Sequence, residues 1–499
     1  MELDGIRFSD QDIERMKTRG MTPETIVDQI KRLTGRRSSL KISAPARVGD
    51  GIIRLSETEK KRYRQVFFDY ASQSGTRIGK FVPASGAASR MFGFLSTPQD
   101  PQYKRFFQEL NRFPFQQLWR QTGVNDPRRL EHQEIIRLLL DELRLARLPK
   151  ALLPFHQHQG LIRTPLHEHS AELISMTASG RLQDSLLHLT INPEYQPDFI
   201  VTMNRVSSEL GAQIPFSLSR QMPHTDTVAV DESGALLRDG QGEIVFRPGG
   251  HGALIHNLDQ LEAGLIFIKN IDNVPHPEYP DYGKPEREAM AGLLIEAIGL
   301  RNRTLQAVET AGRPSRDLSD QLITAARKYP GFLPDTEKLL GKRDYHGISH
   351  CLDRPVRVCG IVQNQGEPGG GPFWVLDRNG QNSLQIIEQA QIDRRDPSQV
   401  EFFSASTHFN PVDMVCCRLD RHGRPYPLSR FIDSEQDFVS SKPYNGKKIR
   451  VLEHPGLWNG AMAGWLTLFV EIDARSFCPV KTVNDLLRPA HQPAQAEPL

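Results

Sequence analysis

The stretch Lys80-Phe-Val-Pro-Ala-Ser-Gly-Ala-Ala-Ser-Arg-Met91 decides the expected fold. A short extended run, 78–82, leads into small residues with one glycine, and Arg90 then opens an apolar run typical of a helix. This order indicates a strand, a tight turn and a helix N-terminus, where backbone N–H groups and the positive helix end point at one place. Such a turn suits a phosphate, to which Arg90 can add a guanidinium group. The alternative is a plain strand-to-helix connection with a surface arginine.

The length and composition predict a globular protein of two or three domains, or of one large domain with insertions. A chain of 499 residues exceeds one compact core, and 38% hydrophobic with 24% charged residues is typical of folded domains. The net charge of +2 provides no field for nucleic acid or anionic lipid. No apolar run approaches the ~20 residues of a membrane span, and the charged first thirty residues lack a signal core. Five cysteines without CxxC spacing favour a reduced, cytoplasmic protein.

Patterns along the chain predict consecutive segments. Helix starts at Ser9, Thr22 and Ser56 predict a helical N-terminal cap. The expected segments are the cap 1–75, an α/β core 76–350 with a helical insert 97–148, a β-rich C-terminal part 351–488 that completes the core, and a disordered tail 489–499. The insert is predicted from apolar positions at helical spacing. The β-rich part is predicted from strand candidates at 356–363, 373–376 and 383–387, and the last two flank Arg378-Asn-Gly380, a hairpin signal.

Two lysines lie in loops that prolines stiffen. Lys150 stands in Pro149-Lys-Ala-Leu-Leu-Pro154, and Lys481 follows Pro479 closely. Proline restricts its own backbone and that of the preceding residue, which holds such loops extended. An ordinary surface lysine is the alternative at both positions.

A histidine-rich segment follows Lys150. It contains His156, His158, His167, Glu168 and His169, whose HxH and HEH spacings can bind a metal. The spacing implies no open site, and Arg163 stands among them. A metal-dependent hydrolase built on this cluster remains a third alternative for the function.

Three glycines surround a histidine in Pro248-Gly-Gly-His-Gly252. Glycine lets a ligand approach the backbone closely, and a structural turn needs one or two glycines rather than three. The pattern therefore favours a functional loop around His251.

A buried strand is expected at 265–268, where the sequence is continuously apolar. It ends in Lys269-Asn-Ile-Asp-Asn273, and ligands of open α/β sheets bind beyond the carboxyl ends of the strands. The carboxylate of Asp272 can hold Mg²⁺ together with substrate phosphates. A cap on the strand end is the alternative role.

Taken in order, these stretches resemble the sugar-phosphate nucleotidyltransferases, and above all the UDP-sugar pyrophosphorylases. The sequence 83–91 is similar to their glycine-rich loop, 149–154 to their P-K-P-L-L-P, and 216–223 to F-x-Q-x-x-x-P with shorter spacing. The most specific matches are 248–252 with P-P-G-H-G, Asn270-Ile-Asp-Asn273 with N-x-D-N, and 475–487 with R-S-R-F-L-P-V-K-x-x-x-D-L-L. The chain looks like a diverged bacterial branch of this family. It departs from the family pattern at Ser85 and Ala88, which stand where the family has glycines.

The resemblance implies a nucleotide-diphospho-sugar transferase-like fold, a Rossmann-like α/β architecture with a mixed, mostly parallel sheet, a helical N-terminal cap and a C-terminal β-rich lobe. It implies formation of a UDP-sugar and pyrophosphate from UTP and a sugar 1-phosphate, with Mg²⁺. The implied roles are catalysis for Arg90, Lys150 and Lys481; nucleotide binding for Ala84, Ser85, Gly86, Gln221, Gly250, His251 and Gly252; metal binding for Asp272; and sugar binding for Asn273, Asn410 and Glu453.

Two other functions fit the same fold. A glycosyltransferase would transfer the sugar of a nucleotide sugar, but it usually carries a D-x-D motif, of which Asn270-Ile-Asp272 is only half. A non-catalytic binder would hold a nucleotide sugar without turnover. Loop polar residues such as Asn410 and Glu453 are also frequent turn formers, which is their alternative role.

Overall fold

The computed structural model describes residues 1–493 except 36–39, 74, 76, 116–117, 120–121, 125, 178–180, 334, 367–368 and 377–380. Its contacts divide the chain into two compact units whose segments alternate along the sequence. Unit 1 consists of Met1–Thr58, Gln221–Leu261 and Leu293–Glu471. Unit 2 consists of Glu59–Arg220, Glu262–Gly292 and Ile472–Leu499. The sequence had predicted consecutive segments instead.

The strands are numbered in chain order. They are β1 Glu2–Leu3, β2 Ile6–Arg7, β3 Lys41–Pro45, β4 Arg47–Val48, β5 Gly51–Ile53, β6 Ile78–Pro83, β7 His156–His158, β8 Leu161–Arg163, β9 Ser185–Thr190, β10 Phe216–Ser219, β11 Thr227–Val230, β12 Phe246–Arg247, β13 Leu265–Lys269, β14 Val356–Gln363, β15 Gly371–Leu376, β16 Asn382–Ile387, β17 His408–Phe409, β18 Asp413–Cys417, β19 Phe438–Tyr444, β20 Lys447–Glu453 and β21 Leu466–Glu471.

The α-helices connect these strands. They are Asp10–Thr18, Pro23–Thr34, Glu57–Ala71, Pro101–Gln108, His132–Arg137, Pro165–Met176, Gln196–Glu209, Ile255–Asp259, Gly283–Ala311, Arg316–Lys328, Thr336–Gly341, Tyr345–Leu352 and Pro397–Ser404. None of them, within the ranges the structure describes, is long and apolar enough to cross a membrane.

Unit 2 is built on four parallel strands in the order β10-β9-β6-β13. Strands β6 and β13 are buried along almost their whole length, which explains why they are apolar apart from Lys80 and Lys269. Because all four run parallel, their carboxyl ends lie at one edge. The turn after β6 and the Asp272 segment after β13 therefore meet at that edge.

The apolar core of unit 2 has two parts. One part packs under β6 and β9 against the helices Pro165–Met176 and Gln196–Glu209. The other part is the predicted insert, whose core includes Phe106, Leu110, Phe113, Ile135 and Leu139. Among its described residues the insert contains short α-helices, Pro101–Gln108 and His132–Arg137, and short 3-10 helices, Leu110–Arg112 and Pro127–Arg129. The helix His132–Arg137 continues as a π-helical turn, Leu138–Glu142.

Unit 1 carries most of the remaining strands. Strands β14, β21, β5 and β4 are parallel neighbours, with β18 and β17 antiparallel to β14. Two antiparallel sheets accompany them, β12-β11-β20-β19 and β16-β15-β3. The α/β class with a mixed, mostly parallel sheet and the β-rich C-terminal part are thus confirmed.

Two details differ from the sequence expectations. The first 75 residues contain the predicted helices after Ser9, Thr22 and Ser56, yet they also supply β3, β4 and β5 to the sheets of unit 1. The predicted disordered tail begins too early, because Pro489–His491 is a helical turn with His491 buried. The hairpin signal 378–380 lies outside the described residues, although β15 and β16 on either side pair as predicted.

Candidate functional site

The loop after β6 presents free backbone groups to solvent. Ala84 is anchored by its N–H, which donates to Thr190 O at 2.8 Å. Ser85, Gly86 and Ala87 are exposed, and their N–H groups have no acceptor within the part of the chain that the structure describes. A Cβ at Gly86 would meet no atom within 4 Å. The loop therefore offers open space and unused donors, as an anion site requires.

The helix after this loop is a 3-10 helix, Ala88–Ser96, rather than an α-helix. Its first turn carries Arg90, which is exposed and forms no hydrogen bond or ion pair among the described residues. The guanidinium group is therefore available to an incoming anion.

Lys150 is held against the same loop by backbone pairing. Its N–H donates to Gly86 O at 3.1 Å, and the Ala88 N–H donates to Leu148 O at 3.0 Å. The insert therefore leaves and returns to the loop, so its length does not separate Lys150 from Gly86. Proline at 149 favours the extended backbone that this pairing needs.

Asp272 accepts hydrogen bonds from both predicted lysines, Lys150 and Lys481. Lys150 Nζ lies 2.7 Å from Asp272 Oδ2, and Lys481 Nζ lies 3.1 Å from the same oxygen and 3.4 Å from Oδ1. Asp272 and Lys150 side chains are only 7% and 15% exposed, whereas Lys481 is 59% exposed. The ammonium group of Lys481 is thus accessible to a ligand.

The carboxyl group of Asp272 is ionised at neutral pH. Burial by itself would raise its pKa, but Lys481 and Lys150 outweigh burial and hold the pKa below its usual range. Two ammonium groups around one carboxylate leave a net positive charge at this position, which attracts phosphate.

A C-terminal segment completes this arrangement. Val480 donates its N–H to Asp272 O at 3.0 Å, and Cys478 donates to Asn273 Oδ1 at 2.8 Å. Asp485 in turn accepts the Lys481 N–H at 2.8 Å. The pairing brings Lys481 to the end of β13, and it occupies the oxygen of Asn273, which is 1% exposed.

The donor set suits Mg²⁺ that arrives with phosphates. Mg²⁺ usually takes one or two protein carboxylates and completes its shell with water and substrate oxygens. Asp272 is such a carboxylate. Across the described ranges, no three His, Cys, Asp or Glu side chains are grouped to hold a metal by themselves. The residues thus fit a substrate-borne Mg²⁺ with Asp272 as its protein ligand.

A buried charge network that the sequence did not predict involves Lys80 in the middle of β6 and Lys269 at the end of β13. Glu172 contacts Lys80 Nζ at 2.5 Å, Lys269 Nζ at 2.6 Å and Arg287 at 3.6 Å, and all three cationic side chains are at most 3% exposed. Burial lowers the pKa of Lys80 to about 8 despite Glu172. Burial would raise the pKa of Glu172, but the three cations hold it well below its usual range.

A signal for this network exists in the sequence. Lys80 and Lys269 stand in strands that are otherwise apolar, and a buried cation needs a partner. Nothing local identifies Glu172 as that partner. Asp485, which accepts the Lys481 N–H in the other cluster, had a clearer sequence signal. Thr482-Val-Asn-Asp485 has the spacing of a capping box, which indicates a helix start.

The glycine-rich loop lies in unit 1, and the chain itself fills the space around its glycines. A Cβ at Gly252 would collide with Pro455 O, and one at Gly249 with His454 and Thr225 O. A Cβ at Gly250 would lie 2.9 Å from Glu453 Oε2, and Gly250 has a φ of +80° that favours glycine. These glycines are required by close packing against 453–455.

His251 stacks on Trp458, a contact the sequence reasoning missed. The ring centroids are 4.3 Å apart with 20° between the planes. His251 Nδ1 accepts the Leu457 N–H at 3.0 Å, so in the neutral ring the proton is assigned to Nε2. Burial lowers the pKa of His251, although Glu388 and Glu453 oppose this, and the ring is neutral at pH 7. Trp458 is half-buried, and the pair offers an aromatic surface.

The other predicted residues of unit 1 have structural contacts. Glu453 accepts hydrogen bonds from Ser440 at 2.7 Å and Lys442 at 2.8 Å. Asn410 Oδ1 accepts the Val412 N–H at 3.1 Å, the turn-forming role that was its alternative. Gln221 Nε2 is buried without an acceptor among the described residues. The sugar- and nucleotide-binding roles of these residues remain predictions.

The histidine-rich segment is dispersed among separate partners in unit 2. His156 lies between Glu168 at 3.0 Å and His491 at 3.1 Å. His167 contacts Glu209 at 2.6 Å, and His169 contacts Ile271 O at 3.2 Å. Among the described residues these side chains are not grouped to hold a metal, so the alternative of a metal site gains no support from the geometry.

Unit 2 thus brings together the loop that precedes Arg90, Lys150, Asp272 and Lys481. Asn273 directly follows Asp272 in the same segment. Unit 1 holds the predicted Gly250, His251 and Gly252 next to Glu453, while Gln221 and Asn410 lie in other segments of that unit. The residues that were predicted to contact phosphate are thus the ones that form a cluster.

Comparisons with known proteins give three results. The model of the protein family described as "Domain of unknown function (DUF4301)" matches residues 9–492. No curated protein matches the sequence. Among solved structures, UDP-glucose phosphorylase from Trypanosoma brucei is 13% identical, with a TM-score of 0.44 over 95% of this chain and 77% of that one.

Mutants of UDP-glucose pyrophosphorylase from Leishmania major are similar as well. One is 14% identical with a TM-score of 0.43, and another, in complex with UDP-glucose, is 14% identical with a TM-score of 0.41. Each match covers 95% of this chain and 77% of the other. Sequence identities and TM-scores this low do not show what this chain does.

Proposed function

Since the chain belongs to the family described as "Domain of unknown function (DUF4301)", we propose its function from its own residues: it is a nucleotidyltransferase that forms a nucleoside-diphosphate sugar and pyrophosphate. The expected substrates are UTP and a sugar 1-phosphate, with Mg²⁺. The single observation that supports this most is the convergence of Lys150 and Lys481 on Asp272, beside the open loop at Gly86.

The chemistry needs charge control more than covalent help. An oxygen of the sugar 1-phosphate attacks the α-phosphorus of the triphosphate, a new P–O bond forms, and the bond to the β-phosphate oxygen breaks to release pyrophosphate. Such transfer depends on holding two anions in line and stabilising the charge that spreads over the phosphoryl oxygens. A bound Mg²⁺ would supply part of that neutralisation.

The residues of unit 2 have matching roles. Lys150 and Lys481 form ion pairs with Asp272. Each ammonium has three N–H donors and can donate to a phosphate oxygen once one is present. Arg90 and the free amides at 85–87 offer further donors to the same kind of group. Asp272 would then hold the metal.

Most residues proposed to bind the nucleobase and the sugar lie in unit 1. In unit 1, the stacked rings of His251 and Trp458 form a surface that suits a nucleobase, and the Nε2–H of His251 can donate to a carbonyl oxygen. Roles for Gly250, Gly252, Gln221, Asn410 and Glu453 follow from the sequence resemblance.

The test is pyrophosphate release with Mg²⁺, using four nucleoside triphosphates and a panel of sugar 1-phosphates. Wild type is expected to release pyrophosphate with UTP and one sugar phosphate. Asp272→Asn and Lys481→Ala should each lower the rate by about 100–1000-fold, the usual effect of losing a charge-stabilising group. Lys104→Ala, an exposed lysine of the same unit, is the matched control and should leave the rate unchanged.

Other outcomes separate the alternatives. Binding of UDP-glucose by calorimetry without any pyrophosphate release would favour a glycosyltransferase or a non-catalytic binder. Equal rates in wild type and both variants would refute the catalytic roles. Neither binding nor release from folded protein would refute the proposed function altogether.

A further inference from the structure

Unit 1 contains a cleft that none of the roles above uses. Its volume is about 640 Å³, within the range of small-molecule sites. One wall is the second half of the helix Gly283–Ala311, and another is the helix Tyr345–Leu352 with the residues that follow it. Every side chain that lines it belongs to unit 1.

Both carboxylates of the cleft already have partners. Glu309 forms an ion pair with Arg421. Asp353 accepts a hydrogen bond from the Tyr426 hydroxyl at 2.6 Å. The negative groups in the lining are therefore largely satisfied from within the protein.

Two arginines of the same lining have no such partner. Within the described ranges, the guanidinium groups of Arg354 and Arg430 form no ion pair, and Arg430 lies 5.9 Å from the ring centre of Phe431. The backbone of Arg354 is fixed, because the fully buried Arg301 donates to its carbonyl oxygen at 2.8 Å. The lining thus holds three arginines, Arg354, Arg421 and Arg430, against two carboxylates, so its charge is net positive.

Two histidines extend this basic surface. His346 and His350 are exposed and stand four residues apart on one face of the helix Tyr345–Leu352. Both line the cleft with Ser349 between them. Imidazole and hydroxyl groups add hydrogen-bond donors for an anion without adding a competing carboxylate.

The floor of the cleft is apolar. Leu305 and Val308 contribute buried side chains, and the half-buried Phe431 contributes a ring. A free inorganic anion would leave this floor uncovered. An organic body attached to the anion would cover it and gain contact with apolar surface.

We propose that this cleft binds a phosphorylated small molecule. Arg354 and Arg430 hold the phosphate through guanidinium hydrogen bonds, His346 and His350 assist them, and the organic part lies against Leu305, Val308 and Phe431. This site is separate in its residues from the proposed catalytic cluster, so the inference does not depend on the proposed function.

Calorimetric binding of three probes tests the proposal: glucose 6-phosphate, inorganic phosphate and glucose. Wild type should bind glucose 6-phosphate more tightly than phosphate and should not bind glucose. Arg354→Gln with Arg430→Gln should weaken glucose 6-phosphate binding at least about tenfold for each arginine removed, as for lost charged hydrogen bonds. The matched control is Arg303→Gln with Arg316→Gln, two exposed arginines of unit 1 outside the cleft.

Two further measurements locate the binding. Lys481→Ala should leave glucose 6-phosphate binding unchanged; a matching loss there would assign the probe to unit 2 and overturn the proposal. Glucose 6-phosphate should also protect His346 and His350 of wild type from diethyl pyrocarbonate, read by mass spectrometry, which holds even if the double variant folds poorly. Absence of binding, of protection, or of any loss in the folded double variant would overturn it.

Discussion

Two glycine-bearing loops, one in each unit, hold predicted site residues, and their glycines are needed for different reasons. At Gly86 in unit 2, a Cβ would meet no atom within 4 Å. At Gly252 in unit 1, a Cβ would collide with the backbone of Pro455. The first glycine leaves space for something outside the protein, and the second leaves space for the protein itself. Similar motifs in a sequence can therefore record a ligand or a packing contact.

The supports of the two loops differ as well. Unit 2 places the carboxylate of Glu172, which is 11% exposed, among the buried cations Lys80, Lys269 and Arg287. Unit 1 packs its loop directly against 453–455. We expect the open loop to depend on buried charge and the closed loop to depend on close packing.

Replacement of the Glu172 carboxylate should have the largest effect on stability. Glu172→Gln leaves three buried cations around a neutral amide, and breaking such a network typically costs about 3–5 kcal/mol. Urea unfolding measures the loss, and hydrogen exchange of the β13 peptides should rise. The control Glu262→Gln changes an exposed carboxylate of the same unit and should cost under about 0.5 kcal/mol. Equal effects would contradict the charge-based support.

Glycine substitutions test the comparison directly. Gly252→Ala should lower the free energy of unfolding by about 3 kcal/mol, because the new methyl group must displace backbone. Gly86→Ala should change it by less than about 0.5 kcal/mol, since its methyl group faces open space. Urea unfolding of both variants measures the two changes in the free energy of unfolding. A large loss at Gly86 would remove the distinction between the loops.

The same Gly86 variant separates stability from binding. A bulkier change, Gly86→Val, fills the open space and should weaken binding of UTP with Mg²⁺ by about tenfold or more while the protein stays folded, because a phosphate can no longer approach the loop backbone. Calorimetry measures the affinity. Unchanged affinity in a folded variant would mean that the open space serves no phosphate.

The smallest expected effect concerns pH. His491 is neutral in the folded state, because burial, followed by its neighbour His156, keeps its pKa well below the usual range. The unfolded chain protonates this residue below about pH 6.5, so its contribution to stability is present above that pH and is lost as the pH falls. Glu168, Arg488 and His276 face the same pair and remain unchanged in the test.

His491→Gln should cost about 1 kcal/mol at pH 7.5 through the lost hydrogen bond. It should also flatten the fall in stability between pH 6.5 and 5.5 by up to about 1.4 kcal/mol per pH unit. Urea unfolding at three pH values measures both effects. An unchanged slope would show that other groups dominate the acid response.

Much of the fold could be predicted because its signals are local. A short extended run predicted β6, a continuous apolar run predicted β13, and the hairpin signal at 378–380 predicted the β15–β16 pair. Capping residues predicted the helices after Ser9 and Thr22. The division into interleaved units had no local signal, since it depends on which distant strands pair.

The site was predicted unevenly for the same reason. Lys150, Asp272 and Lys481 were named from short motifs, and they do converge. Glu172 and Trp458 were missed, because neither lies in a stretch whose composition marks it. The prediction that disorder begins at residue 489 was wrong. Proline content predicts disorder only where the segment has no buried contact, and His491 of this segment contacts the buried His156.

The sequence by itself determined the elements and the charged residues at their ends: a strand and open turn at 78–87, a strand ending in Asp272, and lysines in proline-stiffened loops. Periodicity, propensity and proline geometry act over a few residues and are legible in one dimension. Only the tertiary structure decided that Lys150 and Lys481, 122 and 209 positions from Asp272, share its carboxylate. Such convergence depends on the order of parallel strands and on burial, which short-range pattern does not encode.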